Sequence, residues 1–496
     1  MNYIKLIFAL TFILIAFFQF NVSGEEEKEL VQISENTQTC IDCHEQYTPG
    51  IVEDWFTSRH YKTTPAEGLK KSRLEKRISS TEIPDELKNV NVGCYECHSL
   101  NPSRHKDNFE HNGFKINVIV SPNDCKICHK EEVEQYSKSK KAYAYENLEL
   151  NPVYKKLYES IISVKEIKNG KIVHNKSSDY TKNESCFACH GTKINVDGTK
   201  KIETELGIME VPNLTNWPNQ GVGRINPDGS KGSCASCHPR HSFSIEIARK
   251  PYTCLQCHLT PDVPAWDVYS ESKHGNIFFS KQSEWNWTSV PWKVGKDFTA
   301  PVCSVCHNSL ITNPAGEIIA QRTHDFGERL WVRLFGLIYA HTQPKTGATY
   351  TIKNKDGLPL PVTFNGEEAT DYLISKEEAA KRQGVMKNVC KSCHSTNWTD
   401  NHFLKLENTI KETNKMTYAA TEIMKKAWDL KISDSANPFD DALEQKWIKE
   451  WLFYSNSIRY SSAMSGPDYA TFKEGWFSLS NNLNEMQDYI KSHGKK

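Results

Sequence analysis

All sixteen cysteines of this 496-residue chain fall into copies of one five-residue pattern, and none is left over. The eight copies are Cys40-Ile-Asp-Cys43-His44, Cys94-Tyr-Glu-Cys97-His98, Cys125-Lys-Ile-Cys128-His129, Cys186-Phe-Ala-Cys189-His190, Cys234-Ala-Ser-Cys237-His238, Cys254-Leu-Gln-Cys257-His258, Cys303-Ser-Val-Cys306-His307 and Cys390-Lys-Ser-Cys393-His394. Chance would supply on the order of 0.02 such pentads at these Cys and His frequencies. Two thiols three residues apart reach the two vinyl groups on one edge of a haem, and the following His then sits beneath the iron. Zinc knuckles pair two half-motifs without needing His at a constant offset, and a disulfide framework needs no His at all. The cysteines therefore read as attachment points for eight covalently bound haem c groups, with His44, His98, His129, His190, His238, His258, His307 and His394 as proximal iron ligands.

Ten further histidines remain: His60, His105, His111, His174, His241, His274, His324, His341, His402 and His493. A haem that only passes electrons keeps both axial positions filled, whereas one that does chemistry needs an open position. Seven distal histidines would leave one reactive haem. His60, His111, His174, His241, His274, His324 and His402 are the expected distal set. The choices of His111 over His105 and of His402 over His341 stay open at this point, and His493, in the tail "KSHGKK", is the expected spectator.

Lys plus Arg equals Asp plus Glu at 61 each, so no overall field recruits nucleic acid. Hydrophobic residues make up 38% of the chain, which is little for its length, and haem is the natural filler of the interior. Residues 1–24 read as an export signal, with Lys5, an apolar run from Leu6 to Phe18 and small residues before an acidic start. An uncleaved anchor is the alternative, but that run is short for a bilayer span. Export suits haem attachment outside the cytoplasmic membrane and implies a periplasmic protein. Residues 25–400 form the expected loop-rich haem body, with a short helix after the third motif in "KEEVEQYSKSKKAYAYENLE". In 401–496, Leu406, Ile410, Ala420, Ile423, Met424 and Ala427 form one helical stripe. Leu443, Trp447, Ile448, Trp451 and Leu452 form a second, and Leu479, Leu483, Met486 and Ile490 a third. The fold class is mainly α, a multihaem cytochrome c fold with long C-terminal helices covering haems and offering subunit contacts.

The segment "NWPNQGVGRINPDGSKGSCASCHPRHSFSIEIARKPYTCLQCHLTPD", followed by "SESKHG" and "EWNW", resembles the octahaem hydroxylamine oxidoreductase family. The resemblance covers essentially the whole chain after the export signal. It implies a periplasmic subunit, usually a homotrimer, in which seven haems are doubly ligated wires and the fourth, on Cys186, Cys189 and His190, is the reactive centre. Oxidising members carry an Asp-His pair after the sixth motif; here Asp262 and Val263 match it, so the carboxylate is kept and the imidazole is lost. Read alone, Asp262 in "TPDVP" is a turn residue; the resemblance gives it a proton-delivery role. Leu334 stands where a pocket tyrosine is expected, and Tyr339 and His341 are near enough in sequence to refill the pocket.

The resemblance also bears on the direction of the chemistry. Oxidising members carry a tyrosine before Glu-Gly-Trp that bonds covalently to a neighbouring subunit's reactive haem. In "YATFKEGW", Glu474, Gly475 and Trp476 align and put Phe472 at that position, and a phenyl ring has no oxygen to form the link. Tyr469 and Tyr460 are the nearest alternatives. The expectation is therefore reduction of hydroxylamine and nitrite to ammonium, with electrons from a membrane-bound quinol-oxidising multihaem cytochrome c. Hydroxylamine oxidation at the same haem and a non-catalytic electron conduit are the alternatives. Pentahaem nitrite reductases of the CxxCK type are excluded, since every motif here ends in His.

Overall fold

The computed structural model describes residues 32–205 and 207–494; the export-signal segment lies outside the described residues. The chain is mainly helical. Its strands form five small sheets among the described residues, four of them two-stranded.

The haem motifs explain much of the local helix. In a helix the residues at i, i+3 and i+4 share one face, so a helical Cys-x-x-Cys-His turns both thiols and the imidazole the same way. Cys94–His98, Cys186–His190 and Cys303–His307 are five-residue helices of this kind. The first motif lies inside Glu35–Tyr47 and the last begins at the end of Lys376–Lys391. The helix foreseen after the third motif is split into Lys130–Lys138 and Ala144–Glu149, because Ser139 takes an extended backbone and its hydroxyl donates to Tyr136 O at 2.7 Å.

The fourth motif is held by a tight crossing. Gly191 follows His190 with φ +92°, and a Cβ there would lie 2.2 Å from Arg224 N. Glycine alone permits both the backbone angle and the approach. The loop that crosses donates from Val222 N to Cys189 O at 2.9 Å and from Asn219 Nδ2 to Phe187 O at 3.0 Å.

The C-terminal helices are long, as their stripes imply. Thr396–Asp429 runs 34 residues, capped by the Ser395 hydroxyl, and Trp476–His493 runs 18. Ala420, Met424, Ala427, Leu443, Trp447, Trp451, Met486 and Ile490 are buried together, joined by Leu337, Ile338, Leu360 and Val362 from the preceding loops. A second apolar cluster gathers Phe278, Trp285, Trp287, Trp292 and Phe298. Two exposed hairpins, Val164–Lys168 with Lys171–Asn175 and Asn195–Thr204 with Gly207–Thr215, flank the fourth motif and had no counterpart among the expected elements.

Candidate haem centre

Between the helices lies a connected cavity of about 2370 Å³, walled by Cys or His residues from seven of the eight motifs, the first being the exception. None of the sixteen cysteines forms a disulfide. The motifs approach one another through their sulfurs. Cys125 and Cys234, Cys189 and Cys257, and Cys254 and Cys303 are close enough to interact as hydrogen-bonding pairs. Cys40 with Cys94, Cys97 with Cys128, Cys237 with Cys254 and Cys306 with Cys390 interact electrostatically. These proximities bring every motif near another, in the order 1–2–3–5–6–7–8 with the fourth beside the sixth.

The histidines give the test of what fills the cavity. Two imidazoles bound on opposite sides of one metal ion, each bond about 2 Å and each ring centre roughly 1.1 Å further, stand about 6.2 Å apart. His44 and His111 have ring centres 6.1 Å apart, His60 and His129 6.2 Å, and His274 and His394 6.1 Å. Each pair joins a motif His to a histidine from a distant segment, the arrangement a bis-imidazole haem requires. Three motif histidines have their Nδ1 tied, as ligand orientation demands: His44 to Thr48 Oγ1 at 2.8 Å, His98 to Asn117 O at 2.8 Å and His190 to Ala144 O at 3.3 Å. The residues present fit covalently bound haem c.

The other expected ligands sort by position. His241 interacts electrostatically with His98, and His324 with His238 and His129, which places both among the motif histidines. His402 lines the cavity, interacts with His394 and stacks on Trp398 with ring centres 5.1 Å apart. His174 is placed elsewhere: it lies on an exposed hairpin, bonded to Ser163 Oγ at 3.0 Å, and does not line the cavity. His105 is clamped between two buried carboxylates, with Nδ1 3.2 Å from Asp107 Oδ1 and Nε2 3.1 Å from Asp124 Oδ2. Burial opposes its charge, yet those two hydrogen bonds outweigh it and hold His105 up to about 10. With both nitrogens engaged it has none to give a metal, whereas His111 faces His44 at 6.1 Å. His493 is exposed and stacks on Tyr489.

Around the fourth motif, Asp262, Arg333 and Tyr460 line the cavity beside Cys186, Cys189 and His190. Asp262 acts electrostatically on both Cys186 and Cys189, and burial raises its carboxyl. Its backbone carbonyl accepts from Asn456 Nδ2 at 3.2 Å, which fixes the turn. Tyr460 is pushed up to about 12 by burial, with Arg333 pulling down and Asp262 pushing up. Arg333 is braced by its Nε donating to Phe335 O at 2.7 Å and pairs in strand register with His341. Burial and then Arg333 pull Lys140 down to about 7 on the same wall. Val263 and Leu334 complete the lining.

Of the expected chamber residues, Asp262 is in place. His341 sits behind Arg333, off the cavity wall, its Nδ1 donating to Thr342 O at 2.6 Å; burial and Arg333 lower it to about 3, so it is neutral. Tyr339 points into the apolar C-terminal core and donates to Phe364 O at 2.9 Å. Arg333 was missed: "WVRLFG" carries no motif. Tyr460 was visible only as a tyrosine near position 472. Phe472 is 66% exposed, while Tyr469 is buried beneath Lys473, 5.3 Å from its ring centre.

A chain whose Cys-x-x-Cys-His motifs converge on shared space and whose histidines stand at bis-imidazole separation is a multihaem c-type cytochrome. Family models agree: "Seven times multi-haem cytochrome CxxCH" matches residues 225–323, and "Cytochrome c554 and c-prime" matches 39–116 and 124–211. A solved structure described as a hypothetical multiheme protein is 45% identical, with a TM-score of 0.88, over 94% of this chain and 96% of its own. The chain thus belongs to the multihaem c-type cytochromes. A probable nitrite reductase-hydroxylamine oxidoreductase fusion protein of Kuenenia stuttgartiensis is 26% identical over 288 residues, 54% of this chain and 25% of that protein. The chain thus spans about a quarter of that relative. A reducing HAO-like protein complex of the same organism shares the fold at a TM-score of 0.60 and 18% identity, covering 92% of this chain and 85% of that one.

Proposed function

We propose that the protein is a periplasmic octahaem member of the hydroxylamine oxidoreductase family that reduces hydroxylamine and nitrite to ammonium at the haem of Cys186, Cys189 and His190. The observation that carries the direction is the state of the cross-linking position. Phe472 faces outward without a phenol oxygen, and Tyr469 and Tyr460, which have one, are turned into their own subunit. The Kuenenia relative's name joins nitrite reduction to hydroxylamine chemistry, in keeping with this reading.

A haem held by Cys186, Cys189 and His190 would supply the electrons for the reduction. The chain supplies the rest. Arg333, with Lys140 beside it, gives an anionic substrate a cation to dock against in a partly dry site. Tyr460 offers a hydroxyl that keeps its proton at neutral pH and can donate a hydrogen bond to substrate oxygen. Asp262, its proton affinity raised by burial, can take a proton and pass it on as nitrogen-oxygen bonds break. Val263 and Leu334 keep that wall apolar, which strengthens the charges opposite. A membrane-bound quinol-oxidising multihaem cytochrome c is the proposed donor, and a homotrimer the proposed assembly.

Steady-state turnover with a reduced viologen donor tests the proposal. Ammonium formed from hydroxylamine and from nitrite is the expected result; no turnover of either would leave the conduit reading standing.

A further inference from the structure

The helical run that carries Tyr460 also carries a buried acid for which the chamber gives no use. Between Ala442–Ile448 and Ser455–Met464 the chain widens into a π-helical segment, Lys449–Tyr454. Such segments recur at functional sites. Here Glu450 lies fully buried, and its one partner is Asn482, whose Nδ2 donates to Oε2 at 2.6 Å. Its Oε1 is buried without a partner, as is the hydroxyl of Ser457 two turns on. Glu444, equally buried one helix earlier, is the contrast. Its Oε1 accepts from Trp428 Nε1 at 3.0 Å and its Oε2 from Asp440 N and Asp441 N, so it is a satisfied structural cap. Neither Glu450 nor Ser457 lines the haem cavity, so haem carboxylates do not complete them. Buried polar atoms left without a protein partner are the places where proteins hold internal water.

The acid lies between the surface and the chamber. On the outer side Tyr454, one turn away, interacts electrostatically with Glu474, Glu450 and Glu485. Glu474 Oε2 is itself buried and unpaired, and Glu485 is half exposed, bridged to Lys446. On the inner side Asn456, beside Ser457, holds the Asp262 carbonyl, and Tyr460 interacts with Asp262. The charged groups on the neighbouring segments are Lys446, Lys449, Glu474 and Glu485, with Asp267 acting on Glu474 and, on the inner side, the fully buried Arg459, whose Nη1 donates to Asn456 Oδ1 at 3.3 Å; the long helix presents the hydroxyls of Thr417 and Thr421.

We propose that Glu450, with Tyr454 and Ser457, is a proton relay from the surface near Glu474 and Glu485 into the chamber of Asp262 and Tyr460. It rests on reading that chamber as proton-consuming: hydroxylamine accepts two electrons from the haem chain and three protons to give ammonium and water, the nitrogen-oxygen bond breaking. Glu450 is a positioning and transfer group, not one that touches substrate.

The test uses the holoprotein with Glu450→Gln, Glu450→Asp and Ser457→Ala. Turnover should fall about 10- to 100-fold in Glu450→Gln, recover in part in Glu450→Asp, and leave the rate of low-spin haem reduction unchanged. An infrared band of a protonated buried carboxylic acid should shift when the haems are reduced and vanish in Glu450→Gln. Unchanged turnover and pH profile in Glu450→Gln would overturn the relay. If the parent turns over neither substrate, the functional reading fails by itself. The infrared band then decides: a shift on haem reduction supports the relay, and a band indifferent to redox state overturns it.

Discussion

Glu450→Gln should spare the protein part of its loss of stability as pH rises, while making it slower. In the fold the carboxyl is fully buried, and burial pushes it from an ordinary 4.5 to about 8. Between those values the unfolded chain releases a proton that the folded chain keeps, so unfolding becomes easier as pH rises, by about 1.4 kcal/mol per pH unit. Across that window the loss is about 5 kcal/mol. Below 4.5 both states hold the proton and the slope vanishes. Glutamine keeps the volume and the acceptor for Asn482 but has nothing to ionise. Glu444, raised to about 7 by burial, adds a slope of its own to both proteins, which cancels in their difference. Denaturant unfolding of parent and variant between pH 5 and 8 should give curves that diverge in favour of the variant. Parallel curves, or a parent that gains on the variant with pH, would mean that Glu450 is ionised in the fold and would refute the reasoning.

Other consequences concern single side chains. Replacing His60 or His274 by alanine should convert one low-spin haem to high-spin in the electron paramagnetic resonance spectrum, because each stands at ligand distance from a motif His. Arg333→Leu should raise KM for nitrite by about 10- to 100-fold, the worth of a charge-assisted contact, and leave neutral hydroxylamine much less affected; steady-state kinetics on both substrates reads the split. His105→Phe should cost about 3–5 kcal/mol, since it leaves Asp107 and Asp124 buried without their cation. It should not change the count of low-spin haems. Because His105 is raised to about 10, its stabilisation is complete below pH 6.5 and is lost as pH climbs through 10, which alkaline unfolding would register.

The haem motifs were legible because their chemistry is local: five consecutive residues hold both thiols and the ligand. The C-terminal stripes were legible for the same reason, and Leu443, Trp447, Trp451, Leu479 and Met486 are all buried where the periodicity puts them. Distal ligands were harder. His105 and His111 look alike in sequence, and what separates them is Asp124, nineteen residues further on, which claims one ring, while His44 from the first helix faces the other. His174 looked like a ligand because nothing in its neighbourhood announced an exposed hairpin. The chamber was read in part: Asp262 through the resemblance, but not Arg333, which is brought to the wall by a two-residue strand pairing with His341. Thr413, Thr417 and Thr421 are fully buried in the long helix, where the hydroxyls of Thr413 and Thr421 bond back to its own carbonyls, a use of polar residues that an apolar stripe does not foretell.

The reading turns on an open, uncross-linked haem at Cys186, Cys189 and His190. An optical and electron paramagnetic resonance spectrum of the purified holoprotein, oxidised and then reduced, tests this most directly. A high-spin signal from one open haem beside the low-spin signals of doubly ligated ones, with no far-red band on reduction, is the predicted result. A far-red band would reveal the cross-link that Phe472 is held to exclude, and an entirely low-spin spectrum would leave no haem open to substrate; either would contradict the account.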